Sequence, residues 1–160
     1  MPETSPETPA HRLTIAVLAL LVFCVSACDN GRKFEIVNSK GGLIRIPVKK
    51  VSDGGVHFFT YRYHKGLFGT KNINFFVRMD GKGKLHTHFD ACFTCYKFKK
   101  GYYADGTDLV CIECKKRFKL ADEVWHDDEG CLPIDLSSEI KNGYISINVD
   151  NLRKGEAYFF

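Results

Sequence analysis

The chain has 160 residues, enough for one domain with a proper core and too few for two comfortable ones. Its composition is that of an ordinary globular protein with no low-complexity tract, and a net charge of +4, spread along the chain, is too weak for a nucleic-acid binder. Seven cysteines fall in two groups: Cys24 and Cys28 near the start, and Cys92, Cys95, Cys111, Cys114 and Cys131 in the second half.

The only long apolar run, Leu13 to Val25, is shorter than the ~20 residues a membrane-spanning helix needs. It matches the apolar region of a secretory signal peptide, although the segment before it is poorly basic. The run ends in Val25-Ser26-Ala27-Cys28, which resembles the bacterial lipobox, where small residues fit the peptidase cleft and the cysteine takes a diacylglycerol. The expectation is a lipoprotein signal peptide over 1–27, lipidation at Cys28 and loss of Cys24; an uncleaved short anchor is the alternative. Asp29 resembles an inner-membrane retention signal, which predicts a domain on the outer side of that membrane, facing the periplasm or cell exterior. No twin-Arg pair is present, so export uses the unfolded-chain route and any metal is acquired outside the cytoplasm.

A polar tether over 28–33 leads into a β-rich region over 34–160. Ile44, Ile46 and Val48 alternate before a turn at Ser52-Asp53-Gly54-Gly55, and Val56 to His64 is rich in aromatic and β-branched residues. Lys65 to Asn72 reads as a loop. Ile73, Phe75, Val77 and Met79 share one face of the next strand, Asp80-Gly81 opens a turn, and Leu85 to Ala91 alternates up to the first cysteine pair. Asp105-Gly106 and Asn142-Gly143 mark two further hairpins, the second between Ile134–Ile140 and Tyr144–Val149. Lys119 to Trp125 reads as a short helical turn, and Glu156 to Phe160 as a tail packed on the sheet. The prediction is a mainly β fold: a single antiparallel β domain with two Cys-x-x-Cys knuckles, preceded by the signal peptide.

Each knuckle, Cys92-Phe-Thr-Cys95 and Cys111-Ile-Glu-Cys114, turns two sulfurs to one side of a tight loop. Fifteen residues with a central hairpin separate them, so the pairs can face each other as a four-sulfur cage suited to zinc or iron. Cys131, between Gly130 and Leu132-Pro133, is a fifth ligand, a replacement for one of the four, or a free thiol. A redox dithiol and structural disulfides are the competing readings, since disulfides persist outside the cytoplasm. A bridge within Cys-x-x-Cys closes too small a loop to constrain the unfolded chain much, and five cysteines cannot all pair. Covalent haem is disfavoured because Tyr96 and Lys115, not histidine, follow the pairs, and no βαβ pattern supports a thioredoxin site.

His86, His88 and Asp90 share one face of their strand and form a secondary metal candidate, weighed against a solvated polar face. His57 and His64 have opposite parity and read as surface or core residues. His126 to Glu129 reads as a solvated acidic loop, and Lys115-Lys116-Arg117 as a solvated basic run. No phosphate loop, hydrolase elbow or paired catalytic carboxylates stand out, so a stand-alone enzyme is not expected.

Asp90-Ala91-Cys92-Phe93-Thr94-Cys95, Lys100-Gly101-Tyr102, Cys111-Ile112-Glu113-Cys114, Phe118 and Gly130-Cys131-Leu132-Pro133, with Phe75-Phe76-Val77 and Asp80-Gly81 upstream, together resemble the soluble domain of the FtrD-like membrane iron–sulfur-containing proteins, over roughly residues 55 to 160. The resemblance implies iron or an iron–sulfur cluster on the cysteines and electron handling beside an iron-uptake system. An iron permease or another membrane redox partner would follow. The chain departs from the family pattern in carrying a lipoprotein signal in place of membrane helices, Glu129-Gly130 in place of a Gly-Gly pair, and His86 and His88 on the strand. From the residues alone, a mononuclear ion captured after export, with zinc as the alternative to iron, is the other outcome. Three functions follow: membrane electron transfer or metal handling; an interaction module held by structural zinc or disulfides; and a thiol-disulfide exchange protein whose Lys97, Lys99 and Lys115 supply a positive field.

Overall fold

The computed structural model describes residues 32–64 and 66–160. The expected signal peptide with Cys24, the expected lipidation site Cys28, and Asp29 lie outside the described residues. From β1 (Phe34–Val37), the chain passes through β2 (Ser39–Lys40) and β3 (Leu43–Pro47) to β4 (Val56–His64), β5 (Thr70–Met79) and β6 (Leu85–Cys92). Three short strands follow, β7 (Tyr102–Asp105), β8 (Asp108–Cys111) and β9 (Arg117–Lys119). Then come β10 (Pro133–Asp135), β11 (Glu139–Lys141), β12 (Tyr144–Asn148) and helix α1 (Val149–Lys154).

Three sheets result, with strand orders β1-β4-β5-β6-β10, β11-β12-β3-β2 and β7-β8-β9. The fold is mainly β, as the alternation predicts, and its pairs are antiparallel with one exception: β1 lies parallel to β4. That pairing is possible because the chain between them travels through the second sheet, giving the long crossover a parallel pair requires.

The five-stranded sheet is buried on both faces, and residue parity assigns its side chains to two cores. Phe59, Ile73, Phe75, Val77, Phe89 and Ala91 point one way and pack against Ile44, Ile46, Ile145, Ile147 and Leu152. Phe58, Phe76 and Cys92 point the other way and pack against Tyr102, Leu109, Cys111, Phe118, Leu120, Trp125 and Cys131. The doublets Phe58-Phe59 and Phe75-Phe76 carry this arrangement, because successive residues on a strand face opposite sides.

Several local expectations change. Lys119 to Trp125 forms a single turn and no helix: Asp122 N donates to Lys119 O at 3.2 Å, the Trp125 indole Nε1 reaches the same carbonyl at 2.7 Å, and Leu120 N donates instead to Thr107 O at 2.9 Å. The loop expected up to Asn72 ends earlier, since Thr70, Lys71 and Asn72 pair with His64, Tyr63 and Arg62. The stretch Ile134–Ile140 is not one strand. Its start pairs with β6 while Glu139–Lys141 makes the Asn142-Gly143 hairpin with β12. Helix α1 was too short to show a period; Asn148 caps it, accepting from Asp150 N at 2.8 Å. The tail does pack back, with Tyr158, Phe159 and Phe160 against the first core.

Candidate metal centre

Strand β6 ends on Cys92, and the chain turns there at once: Cys95 N donates to Cys92 O at 3.1 Å and Phe98 N to Cys95 O at 3.0 Å. Strand β8 ends on Cys111 in the same way, with Lys115 N donating to Cys111 O and Cys111 N to Lys116 O, both at 3.0 Å. Both knuckles need a left-handed residue to close, Lys99 (φ 56°) and Lys115 (φ 62°). Cys131 reaches the site on the loop before β10. Asp127 Oδ2 accepts from Cys131 N at 2.6 Å, and Phe93 N donates to Leu132 O at 2.9 Å, tying that loop to the first knuckle. Lys116 Nζ lies 2.9 Å from Asp127 Oδ1 and so ties it to the second.

The sulfurs of Cys92, Cys95, Cys114 and Cys131 all lie within 4.8 Å of one another. The two knuckles therefore meet, but the convergent four differ from the pair-of-pairs set. Cys131 stands in the group, and Cys111 stands beside it, buried and paired across the hairpin with Tyr102. All five thiols are free. Cys92, Cys111 and Cys131 are buried, whereas Cys95 and Cys114 reach toward solvent.

Polar atoms around the sulfurs are few. Thr94 Oγ1 lies 3.1 Å from Cys131 Sγ, 3.5 Å from Cys92 Sγ and 3.6 Å from Cys95 Sγ. Tyr102 donates its hydroxyl to Cys131 O at 3.2 Å. Burial raises the thiols of Cys95 and Cys114 to about 12 and that of Cys111 to about 11. Burial also pushes Cys92 upward, but the Thr94 hydroxyl, the neighbouring Tyr102 side chain and backbone N–H groups outweigh it and hold Cys92 at about 7. Packed this closely, the sulfurs resist ionising together. A bound cation removes that penalty, which is the donor chemistry of a metal site. Four thiolates around one ion at about 2.3 Å place the sulfurs about 3.8 Å apart, so the spacing here is on the scale of a single tetrahedral ion.

The strand face expected to be a solvated polar one is largely covered. His88 and Asp90 are buried because this side of β6 carries the second core; His86 is half-buried. Asp90 Oδ1 accepts from Tyr102 N at 2.7 Å and Oδ2 from Arg32 Nη1 at 3.0 Å, so it fixes the strand that follows the first knuckle. Burial raises its carboxyl to about 7. His86 and His88 stay clear of the sulfur group and line a separate cleft. Asp127 is the residue the sequence undervalued. In an acidic loop it reads as solvated, yet it holds Cys131; its place four residues ahead of the odd cysteine was the available signal. Thr94 and Tyr102 gave none beyond proximity. Of the other histidines, His57 Nε2 pairs with Asp53 Oδ1 at 2.7 Å and His64 Nδ1 with Thr70 Oγ1 at 3.0 Å, both surface contacts.

Residues 51–159 match a family model described as membrane iron–sulfur containing protein, FtrD-like. No curated protein matches the chain. Among solved structures, one match is the quaternary ammonium Rieske monooxygenase CntA in complex with an inhibitor, at 14% identity and a TM-score of 0.46. That match covers 69% of this chain and only 32% of the other, and carries no argument about fold or activity.

Proposed function

We propose, from the premise that this chain belongs to the FtrD-like membrane iron–sulfur-containing proteins, that its thiol group holds an iron centre which passes single electrons to a membrane partner in iron transport. The observation that carries the reading is the convergence of Cys92, Cys95, Cys114 and Cys131, with Cys111 alongside. Those residues would hold the metal, and a thiolate-ligated iron centre supplies one-electron exchange. The chain's own residues do the rest. Thr94 directs its hydroxyl among three sulfurs, and hydrogen bonds to sulfur tune such a centre's potential. Tyr102, Phe118 and Trp125 exclude water from the inner side.

The outer side is open. Phe93, Tyr96 and Phe98 on the first knuckle are exposed, with Lys97 and Lys99 between and beside them. An aromatic rim with positive charge at the accessible edge of the centre suits a transient redox contact with an acidic partner surface. No helix among the described residues is long and apolar enough to cross a membrane. A lipid on Cys28 would hold the domain at the outer face of the inner membrane, where an iron permease is the natural neighbour.

The spacing of the sulfurs favours one further reading, a single structural zinc on an interaction module. Releasing the lipidated domain from membranes of a bacterial host and measuring metal content, visible spectrum and reduction potential separates the two. Iron with sulfur-to-iron charge-transfer bands and a reversible potential is the expected result. One zinc per chain and no colour overturns electron transfer in favour of the structural reading, and cysteines recovered oxidised in pairs with no metal overturns both.

A further inference from the structure

A cleft of about 280 Å³ lies beside the thiol lobe, walled by His86, His88, Asp135, Glu123, Arg78 and Trp125. His88 is 92% buried, yet neither ring nitrogen has a hydrogen-bond partner among the described residues. Asp135 Oδ1 stands 3.0 Å from its Nδ1 as an ion-pair neighbour off the line of a hydrogen bond, which leaves Nε2 as the ring nitrogen with no polar neighbour assigned. An orphaned imidazole at this depth is costly unless something fills the cleft. Burial pushes His88 below its ordinary range, against the pull of Asp135, and keeps it in the neutral form that donates a lone pair.

His86 stands two residues away on the same strand face, its ring 6.3 Å from that of His88 and within 5° of parallel. Its Nε2 lies 2.9 Å from Asp80 Oδ2. Asp80 Oδ1 also accepts from Lys82 N and Lys84 N, each at 2.9 Å. The hydrogen bond from His86 leads the causes that hold this carboxyl at about 2. An ionised Asp80 fixes the proton of His86 on Nε2 and leaves the Nδ1 lone pair free, the carboxylate–histidine arrangement that orients metal-ligating imidazoles.

The positive groups of the cleft are engaged in part, since Arg78 Nε is buried without a hydrogen-bond partner among the described residues. Arg78 donates to Leu120 O at 2.7 Å and lies 4.0 Å over the Trp125 ring, and Lys84 Nζ sits 3.6 Å from Glu123. The donors the cleft offers a cation are two imidazole lone pairs and the Asp135 carboxylate, which pairs in register with His88, is almost wholly exposed and has one oxygen beside His88 Nδ1. Two imidazoles and a carboxylate suit a divalent first-row transition ion. We infer that His86, His88 and Asp135 form a second metal site, separate from the thiol group, for such an ion. His88 is the fixed member. The exposed Asp135 swings onto the ion and the His86 ring tilts within its hydrogen bond to Asp80, since parallel rings do not converge on a point as they stand.

Trp125 is the single tryptophan of the chain and stacks on His88 at 5.5 Å, so it reports on the cleft. The test uses full-length chain in detergent with its thiol site first saturated with Zn²⁺, titrated with Ni²⁺ while Trp125 emission and bound nickel are followed. The expected result is saturable quenching with one Ni²⁺ per chain. His86→Gln should weaken it at least tenfold and Asp135→Asn, on an exposed side chain, several-fold, with thiol-bound zinc unchanged in both. Wild-type nickel affinity in both variants overturns the site, as does quenching by phosphate in place of nickel, which would make the cleft an oxyanion pocket. Loss of thiol-bound zinc in His86→Gln also overturns it, showing the pair to be a prop for the thiol lobe. None of these readings depends on whether the thiol centre is redox-active.

Discussion

The two faces of the five-stranded sheet are built from different material. One is mostly hydrocarbon, with Ile73, Phe75, Val77, Ile145, Ile147 and Leu152 fully buried and Thr87 a buried polar residue that meets Ser138. The other interleaves aromatics with cysteine sulfur and carries Asp90 and His88, whose burial is tolerated only through specific partners or ligands. The first face can hold the fold by burial alone. The second is complete only when its thiols are satisfied, which is where a protein that gains or loses metal should be soft.

The largest effect that would test this division is expected on the hydrocarbon face. Phe75→Ala removes a ring stacked at 5.4 Å on Phe59 and should cost about 3–5 kcal/mol, unfolding both faces in one transition by chemical denaturation. A loss confined to one face would break the picture of a shared sheet. Metal removal should act more locally. Chelation, or Cys114→Ser, is expected to lower amide protection in β7, β8, β9 and the Cys131 loop by tenfold or more, and to leave β3 and β12 as they were, by hydrogen exchange. Uniform loss of protection would mean that the thiol lobe holds the whole domain.

Two glycines sharpen the contrast, because each lets one face of β6 be approached closely. A Cβ at Gly155 would come 2.3 Å from Phe89 Cε1, and one at Gly101 (φ +69°) 2.3 Å from Asp90 Oδ2. Each alanine variant should cost about 1–3 kcal/mol through overpacking. Gly155→Ala should keep its metal content, whereas Gly101→Ala, between the two knuckles, should lose metal affinity as well. Equal metal content in the two would mean that Asp90 does not position the first knuckle. The smallest effect is a pH dependence. With Asp90 raised from 3.8 to about 7, its folded state prefers the proton. Its stabilising contribution is full below pH ~4 and is lost as pH rises through about 7, so the wild-type midpoint should fall over that range. Asp90→Asn should flatten that slope; an unchanged slope would assign it to other groups.

Much of this was legible from residues. The alternation of β4, β5 and β6 and the Asn142-Gly143 hairpin follow from period-2 patterning and turn chemistry, which are local. The cysteine pairs were legible because Cys-x-x-Cys spacing fixes two sulfurs through a handful of backbone bonds. What was not legible is burial. Parity put His86, His88 and Asp90 on one face, but only the packing of β7, β8 and β9 over it turned a polar strand face into a buried one.

The same limit applies to the metal group. Local spacing by itself determined that two knuckles exist, where they begin, and that a third cysteine segment follows. Which thiols converge was decided by the tertiary structure, through the loop that Asp127 and the Phe93–Leu132 backbone bond bring across the first knuckle. The physical reason is range. Turn geometry is set within a few residues, whereas the choice of Cys131 over Cys111 rests on contacts between segments more than thirty residues apart, such as Thr94 with Cys131.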